Sequence, residues 1–375
     1  MLLQELLAHP AVQLPIVRRN EDFVGFLEDL LSRYTSLLFE LTDPDDIVAQ
    51  VMQRRADIQH FCHEVLEVVR STFAGSPQGA YTHFVNAMTP LTDILKEQSV
   101  TGSTGYDLGL LYRVRRDSSD SLTREDLFHI PFEERYKVTT QRYSIPGVPC
   151  LYLGGSLYTC WAEMGRPPFH ELHVSAFWMA TGHTVSILDF SQRPKRLLAY
   201  YVTNGVVATI PENRALLTRY LILWPLIALC SIVVKHRHMP YKPEYIIPQM
   251  VLQWITQSHA IDGVCYFSTH VESLTENTTL PTCNFVFPSR IVAPEGRCNQ
   301  LRESWRLTKP CNWQVLDACN VGHGVSSYGN FEFEFIEGIR ESYESTGFGR
   351  VETRLERLAR VVRRGVDPNV GQVLP

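Results

Sequence analysis

The chain has no excess of basic residues: 35 Lys+Arg stand against 40 Asp+Glu, for a formal charge of -5. A protein that binds nucleic acid without regard to sequence needs such an excess, because its affinity comes from phosphate contacts. No nucleic-acid partner is therefore expected, although one or two arginines suffice to hold a small anion. No CxxC pair occurs among the nine cysteines (Cys62, Cys150, Cys160, Cys230, Cys265, Cys283, Cys298, Cys311 and Cys319), which read as reduced core residues. Their odd number, with no signal peptide at the N-terminus, predicts a cytoplasmic setting. His236 and His238 in KHRHMP have no matching ligand pair, which argues against a metal site. The one candidate membrane segment, Tyr220 to Val234, is about fifteen residues where a span needs about twenty, and Pro225 interrupts it. Arg219 and Lys235 flank it closely, so a buried helix is the better reading and no membrane partner is expected. GxGxxG and GxxxxGK[ST] loops, internal repeats and low-complexity tracts are all missing.

What is present is globular: 45% hydrophobic and 20% charged residues, with 22 Gly and 22 Pro in 375 positions, suit one large domain with helical additions. In EDFVGFLEDLLSRYTSLLFEL the set Phe23, Phe26, Leu27, Leu30, Leu31, Tyr34, Leu37 and Leu38 follows three-and-four spacing, the stripe of an amphipathic helix. Asp43 then caps a second helix with Pro44 at its first position. Its Ile47, Val51, Ile58, Cys62, Val65 and Val69 share a face, and Gly75, Ser76 and Pro77 end it. A third helix carries Tyr81, Phe84, Val85 and Leu91 before a GSTG turn at Gly102 to Gly105. Such short loops predict a small N-terminal bundle over residues 1–100. From Leu108 the texture changes to short apolar strands, LLYRV, CLYLG, HVSAFW, TVSILDF, GVCYF and NFVFP, without the clean alternation of a doubly wound sheet. The fold class read from this order is α+β. The expected division is a helical region 1–100, a central domain 101–310, and an extension 311–375 with a strand FEFEF, a charged helix around Arg350 to Arg364 and a polar tail.

The most informative stretch is Arg142 to Glu163, RYSIPGVPCLYLGGSLYTCWAE. RYSIP opens extended, Gly147 and Pro149 punctuate, and CLYL alternates as a strand with Leu151 and Leu153 on one face and Cys150 and Tyr152 on the other. Gly154 and Gly155 break the strand, and Ser156 is the N-cap of LYTCWAEM. This places Glu163 about two turns into a helix whose Leu157, Cys160 and Trp161 face inward. The layout resembles the RES domain family, named for arginine, glutamate and serine: Arg142, Tyr143, Gly147, Tyr152, Ser156, Ala162 and Glu163 stand where its pattern wants them. Upstream, Arg113 in LLYRVRR matches the arginine of the first core strand, and downstream Ser268 in DGVCYFST matches the serine. YKPEYIIPQMVLQWI (Tyr241 to Ile255) is similar to the helix that long members carry, and CNFVFP brings Asn284 on the strand after the serine. The resemblance runs over roughly residues 108 to 290, and the insertion from Arg193 to Pro240 has no place in the short toxin-like members.

The resemblance implies an ADP-ribosyltransferase-like mixed sheet and an enzyme that consumes NAD as substrate, with no other cofactor. It assigns catalytic positions to Glu163, Arg113 and Ser268, and substrate contacts to Arg142, Tyr143, Tyr152, Ser156 and Asn284. Cleaving the nicotinamide glycosidic bond needs an anion clamp, an aromatic wall and a carboxylate opposite a developing oxocarbenium ion. Arg113 and Arg142 are clamp candidates through their donor forks, or surface arginines; Arg115 shares the Arg113 face and is its substitute if the register slips. Tyr152 reads as a stacking platform or a core tyrosine, and Tyr143 and Tyr112 share that ambiguity. Glu163 is the acting carboxylate, or a helix acid interacting with the macrodipole. Ser268 is a hydrogen-bond donor and not a nucleophile, since no partner follows hydrolase spacing. The expected product is free or phosphorylated ADP-ribose, with a protein antitoxin as regulator. The alternatives are protein ADP-ribosylation and a non-catalytic nucleotide sensor. The N-terminal helices are expected to regulate or to form a homo-oligomer, and to supply no catalytic group.

Overall fold

The computed structural model describes residues 1–101, 108–118, 122–203, 211–258, 260–271, 282–318, 332–336 and 339–363. The GSTG turn, Cys319, Phe331 and the tail from Arg364 lie outside the described residues. The chain forms two compact units, each drawn from separate stretches. The first takes Met1–Val100, Thr139–Ile145 and Leu188–Ile261; the second takes Thr101–Val138, Pro146–Ile187 and Asp262–Pro375. Strands β1 (Ser99–Thr101) and β5 (Ser186–Phe190) each run across a boundary of this division.

The first unit is helical: α1 (Leu3–Ala8), α2 (Phe23–Phe39), α3 (Asp46–Gln53), α4 (Arg55–Phe73), α5 (Pro77–Met88), α6 (Thr92–Gln98), α8 (Pro194–Thr203), α9 (Pro211–Cys230) and α10 (Ile246–Ser258). In α2 the buried positions are Phe23, Leu27, Leu31, Tyr34 and Leu38, the inner line of the expected stripe. The second expected helix is two. Asp45, not Asp43, caps α3 by accepting from the Ile47 amide, and the chain breaks at Arg54, whose guanidinium is drawn to Asp57, Asp93 and the Pro90 carbonyl. Asp43 instead accepts from the Leu3 amide. Gly75 takes a positive φ of 74° in the turn between α4 and α5, a backbone conformation that residues with a Cβ rarely adopt. The apolar run Tyr220 to Cys230 is buried on α9, with the Tyr34 ring stacked 4.0 Å from Trp224 and the Trp224 indole donating to the Val12 carbonyl. Among the described residues no helix is long and apolar enough to cross a membrane.

The second unit is built on β2 (Leu111–Arg116), β3 (Cys150–Gly154), β4 (Leu172–Met179), β6 (Gly263–Phe267), β7 (Cys283–Pro288), β8 (Trp305–Leu307) and β9 (Cys311–Asn312). The strand order is β6-β7-β3-β2-β4-β8, with β9 beside β4. Helices α7 (Leu157–Glu163), α11 (Asn299–Ser304), α12 (Trp313–Ala318) and α13 (Gly347–Arg363) complete it, with a hairpin of β10 (Glu332–Ile336) and β11 (Ile339–Ser342). The fold is α+β.

Alternation along the strands separates two cores. One face gathers Leu111, Leu151, Leu153, Phe177, Phe285, Phe287 and Trp305. The other gathers Tyr112, Val114, Val174 and Ala176 beneath Leu157, Tyr158 and Ala162 of α7 and Phe348, Val351 and Leu355 of α13. Each such large side chain contributes roughly 1.5–3 kcal/mol by leaving water. Pairing is uneven along β2. It stays with β4 from Leu111↔Phe177 to Arg116↔Leu172 but meets β3 only at Tyr112↔Gly154, so β2 and β3 part beyond that point.

Candidate active site

Glu163 is the last residue of α7, and the route to it explains its position. Gly154 ends β3 where an added Cβ would lie 2.5 Å from the Cys160 sulfur, so only glycine lets α7 close down on the strand end. Ser156 caps the helix by accepting from the Thr159 amide at 3.1 Å, and its hydroxyl lies 3.0 Å from that of Thr159. The buried positions of α7 are Leu157, Tyr158, Thr159 and Ala162, while Cys160 and Trp161 are half-buried. Cys160 and Trp161 pack against the same core as Leu157, as expected, with the Cys160 thiol donating to the Tyr112 carbonyl and the Trp161 indole to the Pro167 carbonyl.

At the C-terminal end of α7 the Glu163 Oε1 accepts from the Ser268 hydroxyl at 2.6 Å and from the Asn284 amide at 2.7 Å. A carboxylate there faces the negative end of the helix dipole. The macrodipole reading of Glu163 therefore fails, and the two donors are what hold the group. Ser268 follows β6 and is 1% exposed; Asn284 lies on β7, paired with Gly154 and Tyr266. The Ser268 oxygen also accepts from the His270 amide at 3.0 Å, which leaves its proton for Glu163. The Glu163 side chain is 30% exposed, with Oε2 3.8 Å from His270 Nε2. The geometry thus brings Glu163, Ser268 and Asn284 together and adds His270. Sequence reasoning passed over His270, and its only signal was its place two residues beyond Ser268.

Arg113 lies within electrostatic reach of Cys160 and Tyr152, and the Cys160 thiol also feels Glu163. Arg113 alternates with Tyr112 and Val114, so it leaves the sheet on the Leu111 and Phe177 face, at the point where β2 parts from β3. Part of its side chain meets solvent, but Nη1 is buried and, among the described residues, donates to no acceptor. Burial pulls the guanidinium pKa down to about 10. Arg115 is no substitute: it is bound to the Asp126 carbonyl and pairs with Asp117 and Asp126 at the surface. Tyr152 is half-buried on β3 beside Cys150, and burial raises its pKa well above the usual phenol value. Tyr112 is a core residue beneath α7.

Arg142 and Tyr143 belong to the other compact unit. Arg142 Nη1 donates to the Cys230 and Ile232 carbonyls at 3.0 and 2.9 Å, tying off the C-terminal end of α9, and its guanidinium lies 5.3 Å from the Tyr245 ring centre. Tyr143 is fully buried, with its hydroxyl at the Cys230 thiol.

Comparison with known proteins identifies the family. Residues 110–308 match the RES domain. Over 359 residues the chain is 29% identical to "Putative toxin YopC" of Bacillus subtilis (strain 168), covering 93% of this chain and 79% of the relative. No solved structure matches. With more than half of its length matched, the chain belongs to the RES domain family.

Proposed function

We propose that the protein cleaves the nicotinamide glycosidic bond of NAD and passes the ADP-ribosyl group to water or phosphate, on a sheet of the ADP-ribosyltransferase kind. The carrying observation is the Glu163 carboxylate, fixed at one oxygen by Ser268 and Asn284 and left with the other toward solvent and His270. Nicotinamide departs as a neutral base, so the reaction needs less proton donation than stabilisation of positive charge on the ribose. A carboxylate oxygen that accepts two hydrogen bonds is held in place. The second oxygen is free to bind a ribose hydroxyl and oppose the oxocarbenium charge. Arg113 supplies the countercharge for a pyrophosphate, since a buried guanidinium nitrogen without an acceptor calls for an anion. Tyr152 flanks the ribose or the nicotinamide. Arg142, Tyr143 and Ser156 hold the scaffold.

The relative's name favours the same direction: an enzyme that exhausts NAD stops growth, and a toxin of this kind needs a protein antitoxin in its own cell. Protein ADP-ribosylation is the second reading, because an exposed Glu163 also suits a larger acceptor. The test is to incubate the purified protein with NAD, with and without phosphate, and to identify the products by mass. Free or phosphorylated ADP-ribose supports the proposal and a modified protein supports the second reading. Binding without nicotinamide release would make the site a sensor.

A further inference from the structure

The helix that carries Glu163 is held at its other end by a residue outside the matched RES segment. Glu352, on α13, is 3% exposed, and its Oε1 accepts from the Leu157 amide at 2.6 Å and from the Tyr343 hydroxyl at 2.5 Å. Leu157 opens α7, so its amide is one of those that find no partner within the helix. At seven residues α7 is too short to be stable alone, and its direction is set by what grips it.

Two further observations make the grip a built one. Gly349, three residues before Glu352, has no room for a Cβ, which would lie 2.3 Å from the Tyr343 carbonyl and 2.6 Å from Glu344 Cα. The start of α13 is thereby pressed against the turn that presents the Tyr343 phenol. The Glu352 Oε2 is buried and, among the described residues, has no hydrogen-bond partner. A carboxyl group therefore occupies a place where an apolar side chain would avoid that desolvation cost, and the oxygen that is bonded is the one reaching α7. Phe348, Val351 and Leu355 of α13 pack in the same core as Leu157, Tyr158 and Ala162. From Leu157 to Glu163 the helix is a rigid arm of roughly 9 Å, so a tilt at one end moves the carboxylate at the other.

We propose that Glu352 is a positioning residue for Glu163: by anchoring the first amide of α7 it sets where the Glu163 carboxylate stands. The proposal rests on the reading of Glu163 as the acting carboxylate. Burial pushes the Glu352 carboxyl up to about 8, so near neutral pH it is largely the uncharged acid, and glutamine reproduces both its charge and its accepting oxygen. Alanine removes the anchor, and aspartate withdraws it by one methylene.

The experiment compares full-length wild type with Glu352→Gln, Glu352→Asp and Glu352→Ala. It reads kcat and KM for nicotinamide release, and hydrogen exchange of the α7 amides. Glu352→Ala and Glu352→Asp are expected to lower kcat by about tenfold or more with KM little changed, as for a displaced reacting group. They should speed exchange in α7 and leave β4 and β7 as they were. Glu352→Gln should behave as wild type near neutral pH. A folded Glu352→Asp with wild-type kcat and α7 exchange overturns the proposal, as does a glutamine variant as impaired as aspartate. If Glu352→Ala fails to fold, the aspartate and glutamine pair decides. If wild type releases no nicotinamide, it is the NAD reading that has failed, and α7 exchange in the aspartate variant still decides whether Glu352 anchors the helix.

Discussion

The two ends of α7 each meet a glutamate, and the protein treats them in opposite ways. At the C-terminal end Glu163 keeps one oxygen bonded to Ser268 and Asn284 and the other toward solvent. At the N-terminal end Glu352 is buried, with one oxygen bonded and one orphaned. The first environment leaves a carboxylate oxygen where a substrate can reach it. The second suppresses charge and keeps only the accepting oxygen. Neither residue type nor donor count separates them, since each accepts two hydrogen bonds on one oxygen; exposure to solvent does.

That contrast predicts its own largest test. Glu163→Gln preserves the size of the side chain and removes the charge, so nicotinamide release should fall by about 10² or more while the thermal midpoint changes little. A near-wild-type rate in the folded variant would remove Glu163 from the chemistry and leave the two glutamates alike as structural groups.

A second pair sharpens the comparison, because Arg113 and Arg142 look equivalent as sequence but not as structure. Arg113→Ala deletes a buried donor with no acceptor, so it should weaken NAD binding by about 1.5–3 kcal/mol and cost little stability. Arg142→Ala should do the reverse: it strips a donor from the Cys230 and Ile232 carbonyls and should destabilise the fold by about 1–3 kcal/mol, without changing NAD affinity in the folded fraction. Calorimetry with NAD and thermal melts on both variants check this. Equal losses of affinity would return Arg142 to the site.

Stability against pH should distinguish the two carboxylates again, by a smaller amount. The Glu352 carboxyl is near its ordinary value of 4.5 in the unfolded chain and about 8 when folded. Between those values the folded state holds a proton that the unfolded state has released. The contribution is therefore fully present below about 4.5, declines as pH rises, and is gone above about 8. The Cys160 thiol, which Glu352 helps to raise, stands at about 12 and stays silent in this window. The melting temperature of Glu352→Gln, compared with wild type, should thus gain ground from pH 5 to pH 9, where each kcal/mol is worth about 2–4 °C in a domain of this size. Parallel curves would mean that Glu352 is not buried as described.

Much of the site was legible because it depends on local order. The strand-turn-helix around Gly154, the Ser156 cap, the strands bearing Arg113 and Asn284 and the strand leading to Ser268 all follow from alternation, glycine and capping. The unreadable part depends on long-range pairing. Periodicity shows that α2 has a buried stripe, but not that Tyr34 stacks on Trp224 of the insertion. It shows that α13 is charged and amphipathic, but not that Glu352 reaches back to Leu157. The arginines show the same limit, since whether a guanidinium meets two carbonyls or none is decided by chain segments about ninety residues away.

The smallest effect is expected at His270, and it tests what kind of site this is. His270 Nε2 lies 3.8 Å from Glu163 Oε2, too far for a hydrogen bond, and both side chains are close to one-third exposed. An ion pair this open to water is worth about 0.2–1 kcal/mol, so His270→Ala should change nicotinamide release by less than about fivefold. The Ser268 hydroxyl should stay oriented in the variant, because it is the His270 backbone amide, not the imidazole, that donates to it. Rates measured from pH 5 to 8 should keep the wild-type profile, since the leaving nicotinamide requires no proton from the protein. A loss of a hundredfold, with a lost limb in the pH profile, would make the imidazole a proton-transfer group and replace a carboxylate steadied by neutral donors with an acid-base pair. A small, pH-independent loss would leave Ser268 and Asn284 as the groups that hold the charge on Glu163.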